Sequence, residues 1–409
     1  MKFRFLILFT LFFSVASYAQ KQNAANDRKA VKKAISTARS NIKKGASLAD
    51  AESSMRNLLK DSANLDNEKI WLTLFDAVKK QYDQLNENLY LKQQSDTAKF
   101  FVHTLHMFDV LESLDSVNAK LDKTGKSTPS YRKKHAGFLD QYRTNLFGGG
   151  GYYIQKRDYA NAYNFFKSYL ECAEQPLFEE FDYANTDARM PDAAFWAVFC
   201  GYKLGRPDII DKYMDLASQN AKSDVYLQQY KAESYLLKKD SANYCATLEK
   251  AFDKYTDNAY FFPHLVVYYA EKGMHDKVLE VSQRALEINP NNLSALLARS
   301  SALLHKEKYD ECIEICDKAI SVDDSQAVAY LNAGLAYYNQ SVPLSNKKKP
   351  TKEDNAKIVQ LYKRALPYLA KYRQMMPDDK EMWASPLYNI YLNLNMGDEF
   401  EEIERILTQ

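Results

Sequence analysis

Four alanines, Ala217, Ala251, Ala285 and Ala319, stand 34 residues apart over three successive intervals. Tyr235 and Tyr269 keep that spacing, and turn signals at Gly205 and Gly273 fall two periods apart. A recurrence of fixed length constrains a chain more than any single motif, because each period must be one supersecondary unit that buries its apolar side against the next. One unit reads AYFFPHLVVYYAEKGMHDKVLEVSQRALEINPNN from Ala259, and the next reads LSALLARSSALLHKEKYDECIEICDKAISVDDSQ from Leu293. Each holds two amphipathic stretches with a polar turn between them and a Pro-Asn or Asp-Asp ending, the signature of a helix pair. Only 12 Gly and 11 Pro occur in 409 residues, so helix breakers are scarce and an all-α fold is expected.

This unit resembles the tetratricopeptide repeat (TPR), a helix–turn–helix of 34 residues. The resemblance is carried by Phe262, Leu265, Tyr269, Gly273, Ala285 and Pro290 in the first unit, and by Leu296, Ser300, Leu303, Tyr309, Cys312 and Ala319 in the second. Backwards the register gives a unit from about Val225 to Asn258 and a divergent one from Pro191 to Asp224. Forwards, AVAYLNAGLAYYNQ from Ala327 is a first helix, and its second helix resumes only after an insertion at about 340–356. That insertion contains Pro343, Lys347-Lys348-Lys349 and Pro350 and is expected to be a mobile loop. A last helix pair starts near Trp383. The resemblance covers roughly 143–409 and implies an α-α superhelix, a TPR-like solenoid, preceded by a helical N-terminal region at 20–142 that includes degenerate repeats. Thr124–Gly137 is the most linker-like stretch.

In the same register the run Gly148–Gly151 falls inside a first helix, with Gly150 at the position held by Gly334. One glycine is therefore expected to admit a close helix approach, while the other three carry no such reason and cost helix stability. The run is not a phosphate loop, since Tyr152, Tyr153 and Ile154 follow it and no Lys-Ser/Thr pair does.

Residues 1–19 read as a signal peptide: Lys2 and Arg4, an apolar run from Phe5 to Phe13, then Ser17-Tyr18-Ala19 as a small-x-small cleavage site. Cleavage would leave Gln20, not a cysteine, at the new terminus, so an exported chain, periplasmic or secreted, without a lipid anchor or transmembrane segment is expected. A formal charge of +2 gives no support to a nucleic-acid partner. The helix NDRKAVKKAISTARSNIKKG carries Val31, Ile35, Ala38 and Ile42 on one stripe amid basic residues, which allows peripheral contact with an acidic membrane or a solvated outer face.

Signals for chemistry are sparse. His103, His106, Asp109 and Glu112 occupy one helix at ligand-like spacing, but the stretch is also an ordinary amphipathic helix, and no HExxH accompanies it. Cys312 and Cys316 lie one turn apart and read as small core residues. Nucleophile motifs are absent, so no catalytic residue, cofactor or metal is assigned and the chain is not expected to be an enzyme. The expectation is a binding or scaffold protein of the cell envelope holding a protein or peptide partner. A permanent structural subunit of an envelope, secretion or nutrient-uptake assembly is the alternative, and a metal-dependent enzyme using the N-terminal helices is a third reading. By the resemblance, first helices line the concave face, which places Phe195, Phe199, Tyr202, Tyr226, Gln229, Tyr230, Glu233, Tyr260, Asn332 and Tyr338 at the partner groove. The family's basic clamp for a terminal carboxylate is missing, because Gln229, Glu233, Pro263, Val267, Leu297 and Ser301 occupy its positions.

Overall fold

A computed structural model describes residues 27–119, 129 and 131–408. The signal-peptide reading lies outside the described residues, as do 124–128 and 130 of the linker read at 124–137, whose remainder from Arg132 onward is not a linker but the first turns of a long helix. The described residues are helical without strands, and they fall into two compact units that divide at Leu227 and Gln228.

The first unit contains α1 (27–44), α2 (Leu48–Leu59), α3 (Glu68–Tyr90), α4 (Thr97–Asn118), α5 (Arg132–Gln155), α6 (Tyr159–Glu171), α7 (Tyr183–Thr186), α8 (Met190–Leu204) and α9 (Pro207–Ala217). Helix α10 (Asp224–Leu237) carries the dividing position. The second unit continues with α11 (Ser241–Lys254), α12 (Phe261–Glu271), α13 (His275–Ile288), α14 (Leu293–His305), α15 (Tyr309–Val322), α16 (Ala327–Ser345), α17 (Lys352–Met375), α18 (Lys380–Asn393) and α19 (Gly397–Thr408). In the first unit α2 to α6 pack in succession, then α6 on α8 and α8 on α9. In the second unit α11 to α19 pack in succession, and first helices also touch first helices, α12 on α14, α14 on α16 and α16 on α18. This is the stacking of a TPR-type solenoid.

The period is visible in the backbone itself. Gly205, Lys239, Gly273 and Glu307 stand at 34-residue steps, each just past a first helix, and all have left-handed φ values of 62°, 59°, 66° and 57°. At each of them the amide of the next residue reaches back to a carbonyl five residues earlier: Arg206 to Gly201, Asp240 to Tyr235, Met274 to Tyr269 and Lys308 to Leu303. That closes the last turn of the helix and satisfies carbonyls it would otherwise leave open. Lys239 and Glu307 adopt the same turn without glycine's freedom, so at two of these four repeat positions the sequence carries no glycine to mark the turn. Ala217, Ala251, Ala285 and Ala319 are all buried where the second helix of each pair meets its neighbours.

Two of the four consecutive glycines are required by packing, not one. A Cβ on Gly150 would stand 2.5 Å from Phe166, as expected from its register, and one on Gly149 would stand 2.6 Å from Phe165. Gly148 would make only an ordinary contact with Phe101, and Gly151 faces open space. Adjacent aromatic residues on α6 thus press on adjacent positions of α5, and this demands glycine at both.

The loop expected at about 340–356 is not a loop. α16 runs on through Pro343 to Ser345, and α17 begins at Lys352, so only residues 346–351 connect them. Thr351 caps α17 by accepting from the Asp354 amide while the Asp354 carboxylate accepts from the Thr351 amide, and Lys347 pairs with Asp354 at 2.6 Å. The insertion lengthens both helices of one pair, and Gly334 lets Leu369 of α17 approach to 2.6 Å of where its Cβ would be. The division placed at 142/143 falls inside α5, whose packing on both α4 and α6 leaves no boundary there. On α1, Ile35 and Ala38 are buried and Val31 and Ile42 half-buried, so the apolar stripe is used in packing and the basic side chains face outward.

Candidate functional site

On α8 of the first unit, Ala193, Ala194, Ala197, Val198 and Gly201 form the packed side. A Cβ on Gly201 would meet Ile209 and Ile210 of α9 at about 3 Å, so this helix pair is closely spaced. Phe195, Phe199 and Tyr202 stand half-buried on the remaining surface, with Trp196, which the sequence reading did not single out. Trp196 lies 5.3 Å from Phe195 and 5.6 Å from Phe199 between ring centroids, and it stacks toward Phe166 at 6.5 Å. Lys203 sits over both Phe199 and Tyr202, at 5.4 and 4.9 Å. The aromatic cluster is therefore real, and it is centred on a tryptophan. Tyr226, at the start of α10, is exposed.

In the second unit the predicted groove residues have a different employment. Tyr260 donates its hydroxyl to Glu233 at 2.7 Å, joining the N-terminal end of α12 to α10, and Gln229 donates to Asn258 at 3.4 Å. Asn332, buried on α16, donates its amide to the hydroxyls of Ser300 and Ser301 on α14 at 2.9 and 3.0 Å. Tyr338 accepts from Asn389 of α18 at 2.8 Å and stacks on Tyr362. Tyr230 is buried core. Most of these side chains are ties from one first helix to the next rather than groups waiting for a ligand. Helical register placed them on the correct face; it could not show that their polar atoms were already satisfied across it.

Beside these ties the same face leaves apolar side chains in solvent. Val267 on α12 is 56% exposed and Val328 on α16 is 44% exposed. Leu236 and Leu237 at the end of α10 are exposed as well. His264 lies one turn before Val267, stacked on Tyr260 at 4.1 Å and hydrogen-bonded with Tyr244 at 2.8 Å. The surface is a set of exposed aliphatic positions mounted on helices that are laterally cross-linked.

The histidine spacing on α4 meets a partner that sequence did not indicate. Asp109 points outward, its carboxylate 3.5 Å from Arg56, and Glu112 lies beside Cys172 instead. Glu52 of α2 comes in to face both histidines, with Oε1 3.1 Å from His106 Nδ1. The same Oε1 accepts from Arg56 Nε at 2.9 Å, and Oε2 accepts from Gln81 at 2.7 Å. Burial raises the Glu52 carboxyl, but the adjacent His106 imidazole together with the hydrogen bonds from Arg56 and Gln81 outweighs it and holds the group at about 2. Burial keeps His103 below the usual imidazole range. Cys312 and Cys316 are both buried, 4.0 Å apart, and the Cys312 thiol donates to the Ser300 carbonyl, so they are core residues as expected. Their close contact and burial push the Cys316 thiol far up, which makes it inert as a nucleophile.

No family model matches the chain, and no curated protein matches it. Solved structures do. MamA of AMB-1 is 16% identical over 47% of this chain and 94% of its own, with a TM-score of 0.34. The C-terminal part of a TPR repeat-containing protein from Cytophaga hutchinsonii is 14% identical over 64% of this chain and 92% of its own, with a TM-score of 0.43. YrrB, described as a TPR protein with an unusual peptide-binding site, is 16% identical over 60% of this chain and 93% of its own, with a TM-score of 0.28. Among the described residues no helix is long and apolar enough to cross a membrane.

Proposed function

We propose that this chain is a non-catalytic binding protein of the cell envelope that holds a peptide or protein partner against the first helices of its second unit. The observation carrying this reading is the ladder of side-chain hydrogen bonds between first helices, Tyr260 to Glu233, Asn332 to Ser300 and Ser301, and Asn389 to Tyr338. A surface fixed in this way loses little conformational freedom when a partner docks, so more of the contact energy is expressed as affinity. Val267 and Val328 supply apolar area on that fixed surface, and a docking segment would remove it from water at about 25 cal/mol per Å². The leader-like sequence at 1–19 supports placing the partner outside the cytoplasm. An observed mature terminus at Gln20 would support that placement.

Photo-crosslinking side chains introduced at Val267, Val328 and, as a control on the second helix of a pair, Gln283 test the reading. Crosslinks from the first two positions to one and the same polypeptide, lost on Val267→Arg with the melting temperature unchanged, are the expected result. Equal yield from Gln283, or full retention of the crosslink at Val328 in Val267→Arg, removes the proposal.

A further inference from the structure

We propose that Glu52, His103 and His106 form a binding site for a divalent first-row transition ion of the zinc class, held between α2 and α4. One carboxylate oxygen and one nitrogen from each imidazole lie within 4.8 Å of one another, and among the described residues this is the one such group of three. Two imidazoles and a carboxylate with a fourth position open to water are a ligand set zinc accepts.

A second observation points to a missing occupant. The Nδ1 atoms of both His103 and His106 are buried and make no hydrogen bond. His106 Nδ1 lies 3.1 Å from Glu52 Oε1, yet its direction does not make a hydrogen bond, so proximity has not satisfied it. His103 is only 8% exposed, and its ring stands nearly perpendicular to that of His106 at 5.9 Å. Buried polar atoms are satisfied in native structures as a rule, and two imidazoles that each carry an orphaned nitrogen, grouped with one anionic carboxylate, are what an ion would complete.

The charge opposing this is Arg56, whose Nε holds Glu52 Oε1. It has an alternative partner at hand, because its Nη1 already lies 3.5 Å from Asp109 on the outer side of α4. The ion would take Oε1 in place of Nε, Arg56 would shift to Asp109, and Gln81 would continue to orient the carboxylate through Oε2. α2 and α4 are separated by the whole of α3, so the ion would bridge helices of two successive pairs and bind only the folded chain. It would therefore stabilise this end of the array by mass action.

The test uses the tag-free chain stripped with a chelator and titrated with Zn²⁺ and with Co²⁺, whose visible absorption reports tetrahedral ligation. One equivalent is expected, with a rise in melting temperature and release of Arg56 from the carboxylate. His103→Gln and His106→Gln should each weaken binding by about 100-fold, somewhat beyond the loss typical of a group that only orients a ligand. Arg56→Met should bind at least as tightly as the wild type. His305→Gln tests the stacked surface pair His275 and His305 and should leave the stoichiometry unchanged. Circular dichroism of each variant separates ligand loss from unfolding. Absence of stoichiometric binding at micromolar zinc, unchanged affinity in folded His103→Gln and His106→Gln variants, weakened binding in Arg56→Met, or loss of the bound equivalent in His305→Gln would overturn the assignment.

Discussion

Replacing Gly150 by alanine should destabilise the protein, whereas the same change at the next residue, Gly151, should stabilise it. Both substitutions remove the conformational cost of glycine within α5, a gain of about 0.5–1 kcal/mol. They differ in what the new methyl group meets. At Gly150 it would stand 2.5–2.7 Å from three ring carbons of Phe166, and at Gly151 it would meet nothing within 4 Å. Phe166 has little room to retreat. Its ring is buried, sits edge-on to Phe147 at 5.5 Å and faces Trp196 on its other side. Overpacking of this kind costs typically about 1–3 kcal/mol, so the net for Gly150→Ala is a loss of up to about 2.5 kcal/mol. Gly149→Ala should behave like Gly150→Ala, because Phe165 stands equally close and is held by Tyr153 and Phe101. Urea titrations at constant m-value give the comparison, and Phe166→Leu combined with Gly150→Ala should recover part of the loss by making room. A midpoint for Gly150→Ala at or above that of Gly151→Ala would refute the close approach of α5 and α6.

Two further changes probe the first unit. Glu112 is raised to about 8, first by burial and then by Asp109 and Glu171, so the folded chain holds a proton there that the unfolded chain loses near 4.5. That contribution is complete below about pH 4.5 and is lost as pH rises through 8, so Glu112→Gln should match the wild type in acid and exceed its stability at pH 9 by several kcal/mol, about 5 if the whole shift is expressed. Parallel stability–pH curves for the two proteins would contradict this. Arg143, 5% exposed, lies between the rings of Tyr169 and Tyr183 at 3.8 and 3.9 Å and donates to Asp187 at 2.5 Å and to the Tyr169 carbonyl at 3.1 Å. Lysine cannot stack on both rings and reach both acceptors, so Arg143→Lys should cost about 2–4 kcal/mol in chemical denaturation, and a loss below 0.5 kcal/mol, about the scatter of surface substitutions, would mean the cage is not structural.

The sequence alone determined the helix pairs, the 34-residue period and the buried alanine column, because these follow from periodicity along one helix. It also identified Gly150 as a packing glycine, since a repeat register transfers a position from one pair to another. Contacts between helices were another matter. Gly149 needed the knowledge that Phe165 as well as Phe166 presses on α5, and that depends on how two helices cross. Lys239 and Glu307 adopt a glycine-like turn because the surrounding repeat imposes it, not because their side chains favour it. Proline and lysine at 340–356 suggested a loop, yet a cap at Thr351 and packing of α16 on α17 extended two helices through most of that stretch. On the first-helix face, register placed Gln229, Glu233, Tyr260, Asn332 and Tyr338 together, but only the tertiary structure showed their polar atoms engaged with one another's helices. The histidine pair on α4 was legible as an i, i+3 spacing, while Glu52, 51 residues before His103, reached it through the folding of α2 across the intervening helix. Spacing within a helix is fixed by covalent geometry. What meets that helix from elsewhere in the chain is fixed by packing.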